Sequence, residues 1–122
     1  MNNDQTKTPY NIQERAFQFA CRIVRLHQYL DKQAGTGRVI AKQMLESGTS
    51  IGANLEEADA GQSKRDFISK CAIALKEARE TYYWLRLLIA CDLVPASRIA
   101  PLITEANEIV AILSAIVKNA RI

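Results

Sequence analysis

The segment from Ser63 to Cys91 contains neither glycine nor proline, so no residue in it is expected to interrupt an α-helix. At about 1.5 Å per residue, that helix would be roughly 40 Å long. Ser63 followed by Asp66 is typical of a helix start, where a side-chain oxygen accepts from a free backbone N–H group. Small and apolar residues then recur at alternating steps of four and three, which predicts a face packed in a bundle. That face consists of Phe67, Cys71, Ala74, Ala78, Thr81, Leu85 and Leu88.

From Tyr82 to Ala90 this helix is apolar or aromatic on nearly all sides, with Arg86 as the exception. A helix of that kind has to be covered on more than one face. The other helices of one small bundle cover one face well and a second face poorly. The sequence therefore predicts that identical chains associate, and an aromatic run is expected at their interface. That run is Tyr82, Tyr83 and Trp84.

Three further segments have helical periodicity, and no strand pattern competes with them. We predict helices over 11–33 and 38–60, and a last helix that begins between Ala96 and Pro101. Pro101 is expected in the first turn of that helix, where a proline is tolerated. The first of these helices should bury Ile12, Ala16, Phe19, Ile23, Leu26 and Leu30. Four helices joined by short turns predict an all-α, antiparallel up-down-up-down four-helix bundle.

Two polar residues occupy the packed face predicted for the second helix. That face consists of Ile40, Met44, Ser47, Ile51, Asn54 and Ala58. Because a buried polar group needs a hydrogen bond, Asn54 is expected to have a partner and to help fix the register of packing. Gly48 and Gly52 are expected to let a neighbouring helix approach closely. The alternative is that they weaken or kink their own helix.

Length and composition indicate one ordinary globular domain. The chain has 122 residues, 48% of them hydrophobic and 24% charged. Residues 1–9 are polar and are predicted to form a disordered tail, and residues 10–122 the bundle domain. No uninterrupted apolar run approaches the roughly 20 residues of a membrane span, and the polar start is no signal peptide, so we expect a cytoplasmic protein without a membrane partner. The three cysteines are expected to be buried thiols, with a disulfide or a reactive thiol as the alternative.

The sequence lacks the residue patterns of common catalytic and cofactor sites. With one histidine, the chain cannot supply the paired Glu-x-x-His motifs of a di-iron bundle. Its cysteines and histidine do not converge in the sequence as the four well-spaced ligands of a zinc site would. No phosphate-binding glycine loop of the G-x-x-x-x-G-K-[ST] type is present. We therefore predict a non-enzymatic protein that uses neither a cofactor nor a metal.

Cations at helical spacing suggest two candidate surfaces for nucleic acid. The formal net charge of +3 is only mildly basic. Arginines and lysines one turn apart can neutralise successive phosphates, although they also occur on faces that contact only water. The first set, on the outer side of the first helix, is Arg15, Arg22, Arg25 and Lys32. The second set is Lys64, Arg65, Lys70, Lys76, Arg79 and Arg86.

A protein-interaction scaffold that contacts no nucleic acid is the alternative function. The exposed part of the aromatic run would then hold a protein partner, because tyrosine and tryptophan are typical of interface hot spots. Charge reversal at Arg22 and Arg25 separates the two hypotheses, because it should abolish nucleic-acid binding and leave a scaffold intact.

One series of motifs resembles a known family. The pattern is Ser50-Ile51-x-x-Asn54-Leu55-x-Glu57, followed by Ser63-x-x-Asp66-Phe67, Ile73-Ala74 and Glu80. The chain resembles the bacterial four-helix-bundle proteins encoded in intervening sequences of 23S ribosomal RNA genes, and is similar to the accessory variability proteins of diversity-generating retroelements. The resemblance implies a homopentamer without catalysis, and the retroelement proteins imply binding to nucleic acid and to a reverse transcriptase. Glu80, together with Ser47 and Asn54, is expected to be a structural polar residue.

Overall fold

The computed structural model describes residues 11–60 and 63–121. The elements are α1 (Ile12–Asp31), α2 (Thr36–Asp59), α3 (Lys64–Ala90) and α4 (Ala96–Ala120). No strand occurs in these two ranges, which confirms the all-α prediction. The tail predicted over residues 1–9 lies outside the described residues.

The four helices form a helical bundle around one core. Each helix packs against the next along the chain, and α1 also packs against α4. The predicted face of α1 is confirmed, because all six of its residues are buried in the core. Regular spacing within one helix was sufficient for this prediction, since the helical period alone determines which side chains share a face.

Two residues lie outside the packed faces predicted for them. Phe67, in the first turn of α3, keeps 37% of its surface exposed, and Asn54 of α2 is only half-buried. Asn54 donates from Nδ2 to the carbonyl oxygen of Ser50 at 2.9 Å and to its Oγ at 3.0 Å. Its expected partner therefore belongs to its own helix, so this contact does not set the register between helices.

The start of α3 is as predicted, whereas α2 begins earlier than expected. The Oγ atom of Ser63 accepts a 3.1 Å hydrogen bond from the backbone N–H of Asp66. α2 begins at Thr36, directly after Gly35, whose φ of 94° is one that a residue with a side chain rarely adopts. Gly37, which precedes the helix predicted over 38–60, lies within α2.

The prediction for Pro101 is wrong. α4 begins at Ala96, which places Pro101 in the second turn of the helix rather than the first. Its side chain is exposed, so the ring does not disturb the core. An 18-residue window of α4 also has the length and hydropathy of a membrane span, with 28% of it buried in the bundle. One face of α4 supplies core residues such as Ile109 and Leu113.

The close approach expected at the glycines of α2 occurs at Gly48. A β-carbon built there would lie 2.9 Å from Cγ2 of the fully buried Ile23, which is closer than real β-carbons come. A β-carbon at Gly52 would lie 3.7 Å from the nearest atoms of Ala16, which is an ordinary van der Waals contact. The absence of a side chain at Gly48 therefore sets how closely α1 and α2 pack.

The expectation of three buried cysteines holds for one of them. Cys71 is buried, Cys21 is half-buried and Cys91 is exposed, and all three are free thiols. Burial raises the pKa of the Cys71 thiol, which makes its reactive thiolate form scarcer.

Candidate nucleic-acid interface

Arg15 does not lie on the outer stripe where the sequence placed it. Only 6% of its surface is exposed, and its guanidinium contacts two carboxylates of α4. Nε donates to Glu105 at 2.9 Å, and Nη2 donates to Glu105 at 2.7 Å and to Glu108 at 2.6 Å. The hydrogen bonds to Glu105 are the main reason that the pKa of Arg15 is raised above its ordinary value. Arg15 therefore links α1 to α4 and is not available to a phosphate.

The next arginines of the α1 stripe line a groove between α1 and α4. Arg22 is half-buried and Arg25 is exposed, and Lys32 is exposed beyond the end of the helix. The groove has a volume of about 210 Å³. Its lining residues are Arg22, Arg25 and Leu26 from α1 and Arg98, Pro101 and Leu102 from α4. We call it the arginine groove.

Arg98 is the residue of this site that the sequence did not indicate. It lies in the first turn of α4, and its Cζ atom stands 4.0 Å from the centroid of the Tyr29 ring on α1. This distance is well within the range of a cation–π contact. Nothing near Arg98 in the sequence marks it as part of a basic surface. It joins Arg22 and Arg25 only because the start of α4 packs beside the second half of α1.

The arginine groove carries positive charge that the described residues do not neutralise. Across residues 11–60 and 63–121, no carboxylate pairs with Arg22, Arg25 or Arg98. The acids of α4, Glu105 and Glu108, are already bonded to Arg15.

A larger groove lies between the end of α1 and the start of α2. Its volume is about 530 Å³, and Arg38 on its wall pairs with Asp31 at 3.5 Å. The larger groove is nevertheless less suited to an anion, because one of its cations, Arg38, already forms an ion pair with a carboxylate. The arginine groove is therefore the better candidate for anion binding.

Most of the second set of cations is exposed on α3. The exposed members are Lys64, Arg65, Lys76, Arg79 and Arg86. Lys70 differs, because its Nζ lies 2.6 Å from a carboxylate oxygen of Glu57 on α2. Arg86 lies over the ring of Tyr82, with 5.4 Å between Cζ and the centroid.

The aromatic run of α3 is divided between covered and exposed rings. Tyr83 keeps 52% of its surface exposed and packs edge-on against Trp84, with 5.0 Å between the ring centroids. Trp84 is half-buried, and its Nε1 donates a 3.1 Å hydrogen bond to Glu80. Tyr83 is therefore the member of the run that is most accessible to another molecule.

The described residues do not converge on a metal site. Within 11–60 and 63–121, no three histidine, cysteine or acidic side chains lie close enough to hold an ion. Burial raises the pKa of Glu77, and the neighbouring charge of Glu80 adds to the rise while Lys76 opposes it. Glu77 lies on α3, which contributes no residue to the lining of the arginine groove.

Comparison with known proteins agrees with the helical architecture. The sequence model of the 23S rRNA-intervening sequence protein family matches residues 9–115. The chain is also similar to a protein of unknown function from the S23 ribosomal protein family of Bacteroides thetaiotaomicron VPI-5482, known from a crystal structure. The two share 43% identity with a TM-score of 0.80, over 88% of this chain and 98% of that one. No curated protein matches the chain.

Proposed function

The chain belongs to the 23S rRNA-intervening sequence protein family, and from this we propose that it is a non-enzymatic, cytoplasmic, homo-oligomeric protein that binds RNA or DNA. One observation carries the proposal: Arg22, Arg25 and Arg98 share a groove, and no carboxylate of the described residues pairs with them. Phosphates supply the negative charge that such a groove lacks, and arginine binds them through several N–H donors at once.

Exposed cations outside the arginine groove support the same function. The arginines and lysines of the second set extend along α3, so a long polyanion can contact more than one surface. In a symmetric assembly each basic surface is repeated once per subunit. Repeated weak contacts then raise the overall affinity without any new contact within one subunit.

Salt dependence of binding tests the proposal. Each phosphate contact releases bound counterions, so the logarithm of the association constant should fall linearly with the logarithm of salt concentration. The double variant Arg22→Glu/Arg25→Glu should weaken binding and lower the magnitude of that slope by about two. Fluorescence anisotropy with labelled RNA and DNA measures both quantities.

A matched control reverses two charges elsewhere. Lys42 and Lys118 are exposed and belong to neither candidate set. The double variant Lys42→Glu/Lys118→Glu makes the same change in net charge as Arg22→Glu/Arg25→Glu. We expect it to preserve most of the affinity. Binding that stays constant from low to moderate salt, or an equal loss in both double variants, contradicts the proposal.

The proposal also includes the self-association of the chain and the antiparallel topology of its helices. Phe17, Val39 and Tyr83 each keep more than half of their surface exposed, which supports further covering by identical chains. The ion pair between Arg15 and Glu105 and the contact of Tyr29 with Arg98 support an antiparallel arrangement of α1 and α4. We infer an up-down-up-down bundle that assembles as a homopentamer.

The mass in solution tests the assembly. Multi-angle light scattering should give about five times the mass of one chain at micromolar concentration. A mass equal to another multiple of the chain mass would change the proposed number of subunits and leave the inference of self-association intact. A stable, folded monomer contradicts the inference that identical chains cover the exposed apolar residues.

A protein-interaction scaffold is the second candidate function, and the exposure of Tyr83 favours it. Tyr83→Ala should then leave the oligomer mass unchanged and abolish binding of a protein partner. If Tyr83→Ala lowers the mass instead, the ring belongs to the interface between identical chains. The double variant Arg22→Glu/Arg25→Glu completes the comparison, because a scaffold that contacts no nucleic acid should tolerate it.

A further inference from the structure

The contact between Arg98 and Tyr29 has a consequence for the kind of nucleic acid that fits the arginine groove. The Cζ atom of Arg98 lies over the Tyr29 ring, 4.0 Å from its centroid, and the guanidinium group is planar. Arg98 itself is exposed, and we call the side of its guanidinium away from Tyr29 the outer face. Unpaired bases stack on arginine planes as they do on aromatic rings. A base on the outer face of Arg98 would complete a stack with Tyr29 at its inner end.

The size of the groove separates a polymer from a free small molecule. Its volume of about 210 Å³ is below the roughly 300–1,000 Å³ typical of pockets that enclose a small ligand. A short part of a longer chain, such as one phosphate with its sugar, does not have to be enclosed. Pro101 and Leu102 give the groove an apolar side, against which a sugar can lie, opposite Arg22 and Arg25.

Resting on the proposed function, we propose that the arginine groove binds one unpaired nucleotide of a single-stranded nucleic acid. The base stacks on the outer face of Arg98, and Arg22 and Arg25 hold the adjacent phosphates. A duplex does not fit this arrangement along its length, because its internal bases are already stacked on one another and present no free face. Arg98 is therefore the residue that distinguishes a single strand from a duplex.

The substitution Arg98→Lys tests this selectivity. Lysine keeps the positive charge and loses the planar face, so phosphate attraction remains while base stacking is lost. Binding of a labelled single-stranded oligonucleotide should weaken by about fivefold or more, the lower range of a stacked base. Binding of the blunt duplex of the same sequence should stay within about twofold. Single strands of RNA and of DNA are measured separately, and a loss for either one supports the site and identifies the sugar.

Arg121→Lys is the matched control. Arg121 is also exposed and belongs to neither candidate set, and no aromatic ring of the described residues lies beneath its guanidinium. We expect Arg121→Lys to leave the ratio of single-strand to duplex affinity unchanged. Tyr29→Leu should lower the same ratio, because Arg98 loses the ring that orients it, and thermal unfolding checks that each variant remains folded.

Each result has a definite meaning. If the unmodified chain binds neither strand form, the proposed function fails and the nucleotide site fails with it. If the unmodified chain binds both the single strand and the duplex, the effect of Arg98→Lys decides. The nucleotide site alone is refuted if this substitution changes neither affinity, or changes both affinities by the same factor. A mononucleotide that binds as tightly as the oligonucleotide also refutes it, because the site would then take a free ligand rather than part of a strand.

Discussion

The hydroxyl of Thr81 donates a 2.8 Å hydrogen bond to Oγ of Ser47, joining α3 to α2 inside the core. Ser47 in turn donates to the carbonyl oxygen of Met44 at 3.3 Å, and Oγ1 of Thr81 also lies 2.8 Å from the carbonyl oxygen of Glu77. Both buried hydroxyls therefore have partners. A polar pair in an otherwise apolar seam favours one alignment of the two helices, because a slipped register would leave both groups unsatisfied.

Removal of this pair should lower stability in a non-additive way. Thr81→Val keeps the shape of the side chain and should lower the free energy of unfolding by about 1–2 kcal/mol. Ser47→Ala should have a similar effect. The double variant should lose about 1 kcal/mol less than the sum, since both single variants remove the same hydrogen bond. Chemical denaturation measures all three, and strict additivity would show that the hydroxyls act independently.

Thr104→Val is the control for that series. Thr104 is exposed and bonds only to the carbonyl oxygen of Ala100 in its own helix, at 3.3 Å. We expect its replacement to change the free energy of unfolding by no more than about 0.5 kcal/mol.

Gly48 and Gly52 of α2 should respond in opposite directions to replacement by alanine. Gly48→Ala places a methyl group 2.9 Å from Ile23, a side chain with no exposed surface, and overpacking of this kind costs about 1–3 kcal/mol. Gly52→Ala meets only a 3.7 Å contact, so the better helix propensity of alanine should stabilise the chain by up to about 1 kcal/mol. Thermal unfolding of the two variants provides the comparison. Equal effects would mean that the spacing of α1 and α2 does not depend on Gly48.

Loss of the Arg15 charge should destabilise the contact between α1 and α4. Arg15→Met keeps an apolar side chain but leaves Glu105 and Glu108 without their cation. We expect a loss of about 2–3 kcal/mol, below the ~3–5 kcal/mol of fully buried pairs because Glu108 is 55% exposed. Arg25→Met removes an exposed arginine without a carboxylate partner and should change stability by at most about 0.5 kcal/mol. If chemical denaturation shows that Arg15→Met and Arg25→Met lower the free energy of unfolding equally, the ion pairs of Arg15 contribute no more than an exposed charge does.

Glu77 should make stability depend on pH. Folding raises the pKa of Glu77, so the folded chain binds this proton more tightly than the unfolded chain does. The resulting stabilisation is full below the unfolded pKa of about 4.3 and is lost as the pH rises through the higher folded pKa. Glu77→Gln should therefore raise Tm near neutral pH, and its advantage should vanish below about pH 4.

Glu46→Gln is the control for the pH series, since it removes an exposed negative charge from α2. Thermal unfolding of both variants and the parent chain from acid to neutral pH measures the effect. A Glu77→Gln variant that is less stable than the parent at neutral pH would show that the ionised carboxylate is favourable in the fold.

Local regularities in the sequence were sufficient for the helices and most of their packed faces. The steps of four and three that place Phe19 and Ile23 on one side of α1 depend only on the helical period. The cap at Ser63 depends on atoms three residues apart. Such features can be predicted because every interacting group lies within one or two helical turns. Pro101 departs from its expected place because propensity limits a proline in a helix but does not locate the helix start.

The candidate site could be predicted only in part. Arg15 and Arg22 lie two turns apart on α1 and are equivalent in the sequence pattern, yet Arg15 bonds to Glu105, 90 positions away, and Arg22 lines an open groove. The residues next to Arg98 in the sequence do not indicate that it belongs to a basic surface. The helical period fixed the direction in which each side chain of α1 points. Which charge or ring stands opposite it depends on how α4 packs against α1, and that arrangement exists only once the apolar faces of all four helices are buried together.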